Sequence, residues 1–138
     1  MSPLVIEVAA GLIFRSRRVL ITRRPSGGHL AGLWEFPGGK LETGETFEVA
    51  LMRELREELG VAVEVGRCLA EVRHDYGERT VQLRFFVCRV VQGEPTPIGC
   101  PELAWVTVEE LGNYEFPPAD RELLAQLAQE PEFGGESL

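Results

Sequence analysis

Three glutamates near the end of one short segment carry the strongest chemical signal in this 138-residue sequence. Glu54, Glu57 and Glu58 stand in "RELREELG" at spacings of three and four residues. On a helix these carboxylates share one face, where like charges weaken the helix unless something neutralises them. Two interpretations follow: a solvated acidic face eased by Arg53 and Arg56, or oxygen ligands for a hard divalent cation, Mg²⁺ or Mn²⁺.

The segment that carries these glutamates has the pattern of an amphipathic helix. Thr46 is a favoured N-cap residue, and Gly60 is a favoured residue just beyond a helix end. Between them, apolar residues recur at spacings of three and four, namely Phe47, Ala50, Leu51, Leu55 and Leu59. We therefore predict a helix here, with one apolar stripe.

The rest of the chain has mostly strand patterns. "VIEVAAGLIFR" and "RRVLITRR" flank a polar turn at Ser16 to Arg18 and predict a hairpin, while "LWEFPGGK" predicts a short extended piece ending in an exposed turn. Three more strands are expected before "ADRELLAQLAQ", whose leucines predict a second helix behind Pro117 and Pro118. The pattern indicates one α+β domain over residues 1–130, with 131–138 as a frayed tail.

Composition narrows the class of partner. Fourteen basic and 22 acidic residues give a formal charge of 14 − 22 = −8, which argues against binding of duplex nucleic acid through its phosphates. A phosphate-bearing partner should therefore arrive with a cation. The three cysteines form no CxxC pair, which suits a reducing cytoplasm, and no segment is long enough to cross a membrane.

The full spacing around the glutamates decides between the two interpretations. It resembles the Nudix box of the Nudix hydrolases at every fixed position: Gly39, five residues, Glu45, seven residues, Arg53-Glu54-Leu55, one residue, Glu57-Glu58, one residue, Gly60-Val61. The resemblance extends over nearly the whole chain to the MutT branch, through "ITRRP", "LWEFPGGK" and "EFPPAD". It implies a Nudix fold, an α/β/α sandwich around a mixed β-sheet.

The resemblance also implies a reaction. Enzymes of this branch are Mg²⁺-dependent, with Mn²⁺ possible, and use water to convert a nucleoside triphosphate into the monophosphate and pyrophosphate. A carboxylate-held cation can neutralise the phosphates and help to deprotonate the water. Carried over to this chain, the metal ligands are Glu54, Glu57, Glu58 and the backbone carbonyl of Gly38, and Arg53 orients Glu54 or Glu45.

The general base is open, because family members differ in its position. Glu54, Glu58 and Glu102 are the candidates. The MutT pattern has a glutamate directly before the tryptophan of the later strand, whereas Ala104 precedes Trp105 in this chain. Glu102 lies two residues before Ala104, and it either substitutes for that glutamate or is solvated loop charge.

The resemblance places a set of residues at the substrate: Arg24, His29, Glu35, Phe36, Gly38, Lys40 and Asp120. Arg24 is expected at a phosphate and His29 in a loop that closes on the nucleotide, with ordinary surface charge as the alternative for both. Phe36 is expected in the pocket, where an aromatic ring can stack on a base. For Tyr76, stacking and plain core packing both stay open.

Asp120 stands where the MutT branch has an asparagine that recognises 8-oxoguanine. An amide offers a donor and an acceptor, whereas an ionised carboxylate can only accept. Asp120 could be protonated and donate like an amide, accept from the N4 amine of a cytosine nucleotide, or merely cap the last helix. The leading interpretation is sanitation of 8-oxo-dGTP, and the alternative is a CTP or 5-methyl-dCTP pyrophosphohydrolase.

Two further classes compete with an enzyme. A Nudix domain that only senses or binds a nucleotide typically loses box glutamates, and this chain keeps all of them. A structural protein with an acidic helix would show no metal dependence, which thermal stability with and without Mg²⁺ would reveal.

Overall fold

The computed structural model of the protein describes residues 4–28 and 30–130. Within them, two α-helices are present, α1 (Phe47–Leu59) and α2 (Arg121–Gln129). The strands are β1 (Leu4–Arg15), β2 (Arg18–Arg23), β3 (Trp34–Glu35), β4 (Gly38–Lys40), β5 (Ala62–Asp75), β6 (Arg79–Gln92) and β7 (Leu103–Thr107). Short 3₁₀ turns, at Glu109–Asn113 and Pro118–Asp120, precede α2.

The strands form one mixed sheet in which β1 is central. Strand β1 runs parallel to β6 from Leu4↔Arg79 to Ile13↔Cys88, and antiparallel to β2 and β4. Strand β5 pairs antiparallel with β6, while β3 and β7 pair antiparallel with β2. The predicted mixed sheet is therefore confirmed.

The turn between β1 and β2 is a two-residue turn. Ser16 and Arg17 have φ values of 49° and 64°, which suits the primed turns that match the twist of a hairpin. Arg18, which the sequence pattern had assigned to the turn, already belongs to β2 and pairs with Arg15. The hairpin itself is as predicted.

The glycine pair of "LWEFPGGK" does not form the exposed turn that was expected. Gly38 and Gly39 lie in β4 and pair with Ala10 and Ala9 of β1. A Cβ atom at Gly38 would overlap the carbonyl oxygen of Ala9, so this close backbone approach requires glycine. The pairing holds both glycines against the sheet.

Side chains on the two faces of the sheet build two separate cores. On one face Ala9 and Ile13 of β1 pack with the buried stripe of α1, and on the other face Ala10 and Leu12 pack with Leu123 and Leu127 of α2. Successive residues of a strand point to opposite faces, so β1 serves both layers. The expected α/β/α sandwich is confirmed.

Helix α1 begins and ends as predicted. The Thr46 hydroxyl oxygen accepts a hydrogen bond from the Val49 N–H at 3.1 Å, and Gly60 ends the helix with φ of 71°. The five apolar stripe residues are all buried. In the described part of the chain no helix has the length and apolar composition needed to cross a membrane. The predicted tail, 131–138, lies outside the described residues.

Candidate active site

A cleft of about 400 Å³ brings together residues from eight parts of the fold. They are β1, the end of β2 with the residues after it, β3 to β4, the end of α1, the β5–β6 turn, β6, the loop between β6 and β7, and the 3₁₀ turn before α2. Among the residues predicted to be functional, those lining it are Arg24, Glu35, Phe36, Gly38, Lys40, Glu58, Tyr76 and Asp120. The tertiary structure thus joins segments that are far apart in the sequence.

Glu58 is the box glutamate that lines the cleft. Burial raises the pKa of Glu58 to about 8, and the charges of Glu35 and Glu54 add to the shift. Its Oε1 atom is buried and has no hydrogen-bond partner among the residues that the structure describes. A buried oxygen without a partner costs free energy, so this atom is suited to accept a ligand.

Glu54 lies beneath β4. A Cβ atom at Gly39 would stand only 2.5 and 2.6 Å from the two carboxylate oxygens of Glu54, so glycine leaves the space that this carboxylate occupies. Burial raises the pKa of Glu54, while a hydrogen bond from Arg53 opposes the shift. A side chain at position 39 would therefore displace the Glu54 carboxylate from this place.

Arg53 is the centre of an ion-pair network beside the cleft. Its Nε and Nη2 atoms donate to the two carboxylate oxygens of Glu45 at 2.7 and 2.9 Å, and Nη2 also donates to the Lys40 carbonyl oxygen. Its Nη1 atom donates to Glu54 at 3.1 Å and to Glu57 at 3.3 Å. The hydrogen bond from Arg53 lowers the pKa of Glu45 to about 2. Arg53 therefore ties the loop before α1 to the glutamate face.

Arg24 and Glu35 form an ion pair at the cleft. The Arg24 Nη1 atom donates to Glu35 Oε1 at 2.8 Å, and both side chains are partly buried. Burial raises the pKa of Glu35, and the charge of Arg24 opposes that shift. Arg24 thus supplies positive charge to a cleft that also contains Glu58 and Asp120.

Asp120 lies in the 3₁₀ turn before α2 and is 4% exposed. Burial raises its pKa to about 7, Glu35 contributes in the same direction, and Arg24 opposes the shift. Its side chain makes no capping hydrogen bond to α2. Asp120 occupies the N-cap position of α2, but the interpretation that its side chain caps the helix is wrong, and the residue lines the cleft instead.

The aromatic candidates differ in their surroundings. Phe36 is buried and packs its ring against Phe85 at 6.1 Å and Phe116 at 5.3 Å between centroids, so it belongs to the core as well as to the cleft wall. Tyr76 is half-buried in the β5–β6 turn, with His74 at 4.3 Å between ring centroids. Both rings therefore border the cleft.

Four predicted residues in the described part of the chain, Arg53, Glu54, Glu57 and Glu102, are not among those lining the cleft. Glu102 is half-exposed and accepts a hydrogen bond from Arg23 Nη1 at 2.8 Å, as a solvated loop carboxylate would. Glu57 is 61% exposed and is held by Arg53. His29 lies outside the described residues.

Sequence reasoning did not single out Arg79 or Cys100 for the cleft, although both line it. Arg79 begins β6, and Cys100 follows a loop against the end of α1. Period-two alternation in β1 could have identified Ile6 and Val8 as part of the same wall. No local signal points to Cys100.

The donor set fits a hard divalent cation. Within residues 4–28 and 30–130, no group of three or more acidic, histidine or cysteine side chains converges closely enough to hold a metal. Mg²⁺, however, commonly uses one or two carboxylates and completes its coordination with water and substrate phosphate. The Oε1 atom of Glu58 and the nearby carboxylate of Glu54 can supply those one or two carboxylates.

Comparison with known proteins agrees with this geometry. Residues 9–126 match the family model described as the NUDIX domain. The chain is 38% identical to the CTP pyrophosphohydrolase of Escherichia coli over 120 residues, covering 87% of this chain and 89% of that protein. It is 33% identical to the 8-oxo-dGTP diphosphatase of Escherichia coli over 123 residues, covering 88% and 95%. The solution structure of the Escherichia coli ORF135 protein superposes with a TM-score of 0.79 at 37% identity, covering 94% and 95%.

Proposed function

This chain belongs to the NUDIX domain family and is a Nudix hydrolase, and we propose that it converts a nucleoside triphosphate and water into the monophosphate and pyrophosphate. The observation that carries the proposal is the single cleft that contains both Glu58 and Asp120. Glu58 belongs to the glutamate helix, and Asp120 can form hydrogen bonds with a base. A nucleotide lying along the cleft would meet both.

Nudix hydrolases generally need a divalent cation, and we propose Mg²⁺ for this chain because the available donors are hard oxygens. The proposed ligands of the cation are Glu54, Glu58 and the Gly38 carbonyl oxygen, together with Glu57, the remaining glutamate of the helix face. When bound, the cation supplies charge neutralisation at the phosphates and lowers the pKa of a bound water.

The remaining chemistry belongs to the side chains of the chain. Arg24 would hold a phosphate once the substrate competes with Glu35 for its guanidinium, and Arg53 would keep Glu54 and Glu45 in place. For removal of the proton from the attacking water, the cleft position of Glu58 favours the helix glutamates over Glu102. Lys40, at the rim, adds positive charge.

We propose 8-oxo-dGTP as the leading substrate. Its modified base presents an acceptor at O6 and a donor at N7, and a protonated Asp120 can donate to the first and accept from the second. The raised pKa of Asp120, about 7, supports that protonated form at neutral pH and below. Phe36 and Tyr76 border the space in which the base would lie.

Cytosine nucleotides are the second candidate, and the same pKa favours them at higher pH. Once ionised, Asp120 accepts only, which suits the N4 amine of cytosine and disfavours O6 of 8-oxoguanine. The similarity to a CTP pyrophosphohydrolase at 38% identity supports this alternative.

The test is a panel of canonical and modified nucleoside triphosphates, assayed for pyrophosphate release with Mg²⁺ and with EDTA. Activity should require the cation, and Glu58→Gln should lower kcat at least about a hundredfold because it removes a charged ligand. Glu48→Gln is the matched control, since Glu48 is exposed on the first turn of the same helix. Wild-type rates in Glu58→Gln would refute the proposed site.

A further inference from the structure

The loop formed by residues 96–100, between β6 and β7, closes over the C-terminal end of α1. The Thr96 N–H donates to the Leu59 carbonyl oxygen at 3.0 Å. The Ile98 and Gly99 N–H groups both donate to the Glu58 carbonyl oxygen, at 3.1 and 3.0 Å. The last carbonyls of a helix have no partner within it, so this loop satisfies them and thereby anchors the residue that lines the cleft.

Gly99 lies directly against Glu58. A Cβ atom built at Gly99 would stand 3.3 Å from the Glu58 Cα atom and 3.5 Å from its Cγ atom. Gly99 does not have the positive φ that disfavours other residues, unlike Gly60 and Gly93. A side chain at position 99 would therefore be disfavoured by lack of space and not by the backbone conformation.

Glu58 has little freedom to absorb such a contact. Its Oε1 atom is already buried, its carboxylate accepts a hydrogen bond from the Gly38 backbone N–H, and the next residue, Leu59, is fully buried in the core. Cys100, which follows Gly99, lines the cleft beside it. A side chain at position 99 would therefore shift the Glu58 carboxylate within the cleft.

We propose that Gly99 is a positioning residue for this hydrolase, whose missing side chain lets the 96–100 loop close on Glu58 and hold its carboxylate in the cleft. The inference rests on the proposed function, because it assigns the loop to the same site. Sequence spacing gives no hint of it, since Gly99 lies 41 positions beyond Glu58, outside the Nudix box.

Gly99→Ala and Gly99→Val test the proposal in a graded way, with Gly112→Ala as the matched control. Gly112 also lacks a positive φ, and a Cβ atom there would meet no atom of residues 4–28 and 30–130 within 4 Å. Mn²⁺ binding is measured directly from the free-ion signal in electron paramagnetic resonance, and kcat and KM are measured on the best substrate of the panel. We expect Gly99→Ala to weaken the Mn²⁺ Kd about tenfold, and Gly99→Val to weaken it further, as for other residues that support a metal ligand.

The kinetic readout separates positioning from a general structural role. The kcat of Gly99→Ala should fall while KM stays within about twofold, because Asp120 and the base end of the cleft are untouched. Wild-type Mn²⁺ affinity in Gly99→Ala, a change in KM alone, or equal effects in Gly112→Ala would overturn the proposal. Failure of Gly99→Ala to fold, judged by circular dichroism in EDTA, would also overturn it, because Gly99 would then be a global packing residue. If the wild type itself neither binds Mn²⁺ nor hydrolyses the panel, the proposed function has failed first.

Discussion

Two carboxyl groups in the cleft, those of Glu58 and Asp120, have pKa values well above their ordinary values. Burial raises the pKa of Asp120 to about 7 and that of Glu58 to about 8, and the charge of Glu35 contributes to both shifts. Arg24 lowers both pKa values and is itself held by Glu35. The excess of acidic groups explains why a bound cation would be favourable here, and why Asp120 can change its hydrogen-bonding character near neutral pH.

Asp120→Asn should therefore change base preference in a pH-dependent way. At pH 6 the wild-type carboxyl group is protonated, so the amide should leave kcat/KM for 8-oxo-dGTP nearly unchanged. At pH 8.5 the carboxylate is ionised, and the amide should favour 8-oxo-dGTP over cytosine nucleotides by about five- to two-hundredfold, the value of one buried hydrogen bond of roughly 1 to 3 kcal/mol. The measurement is the ratio of kcat/KM for the two substrates, in which effects on the metal site cancel. An unchanged ratio at both pH values would contradict the specificity role of Asp120.

At the scale of elements, α1 is fixed on several sides. Its buried stripe packs on the sheet, Thr46 caps its start, and the 96–100 loop covers its end. Gly11 of β1 brings the helix close to the strand: a Cβ atom there would stand 3.3 Å from Leu55 Cδ1 and 3.5 Å from Leu51 Cδ1. The glutamate face is thus carried by a rigid helix and not by a mobile loop.

Gly11→Val should push α1 away from the sheet. Extra methyl groups in a filled core typically cost about 1 to 3 kcal/mol of unfolding free energy, so urea denaturation should show a loss of that size. Activity should fall together with stability, because Leu55 and Glu54 are neighbours on the helix. Gly112→Ala serves as the control and should change the urea midpoint little. A stable and fully active Gly11→Val variant would show that the helix is not held this closely.

At the scale of the whole molecule, stability should depend on the protonation of these buried acids. Asp120 has an ordinary pKa of 3.8 and a folded-state pKa of about 7. A raised pKa means that the folded state binds the proton more tightly, so this contribution to stability is present below about pH 4. It is lost as pH rises from there through about 7.

Asp120→Asn should remove this dependence. Between pH 5 and pH 8 the wild type should lose about 2 to 3 kcal/mol more unfolding free energy than the variant, from roughly two pKa units at about 1.4 kcal/mol each. Urea unfolding of both proteins in EDTA at the two pH values gives the comparison, and bound cations cannot interfere. Parallel pH profiles would mean that Asp120 titrates normally in the folded protein.

Much of this architecture follows from the sequence alone, because it depends on local spacing. The α1 boundaries follow from Thr46, Gly60 and the apolar stripe, and period-two patterns predict the long strands. The Nudix box spacing identifies the family and the glutamates, since its positions lie in one continuous segment from Gly39 in β4 through α1 to Val61. The Ser16–Arg17 turn was placed to within one residue. The pairing of Gly38 and Gly39 in β4 was not predicted, because their partners Ala10 and Ala9 lie in β1, far away in the sequence.

Only the tertiary structure distinguished the three box glutamates of α1, Glu54, Glu57 and Glu58, from one another. They share one helix face, yet Glu58 lines the cleft with a buried oxygen, Glu54 lies under Gly39, and Glu57 is 61% exposed. Their surroundings come from β4 and from the 96–100 loop, which no spacing within the helix can encode. The same holds for the buried Asp120, whose raised pKa arises from burial and from Glu35, 85 positions earlier in the chain. Burial and charge at a site depend on what the folded chain brings beside it, so they are decided by packing and not by local pattern.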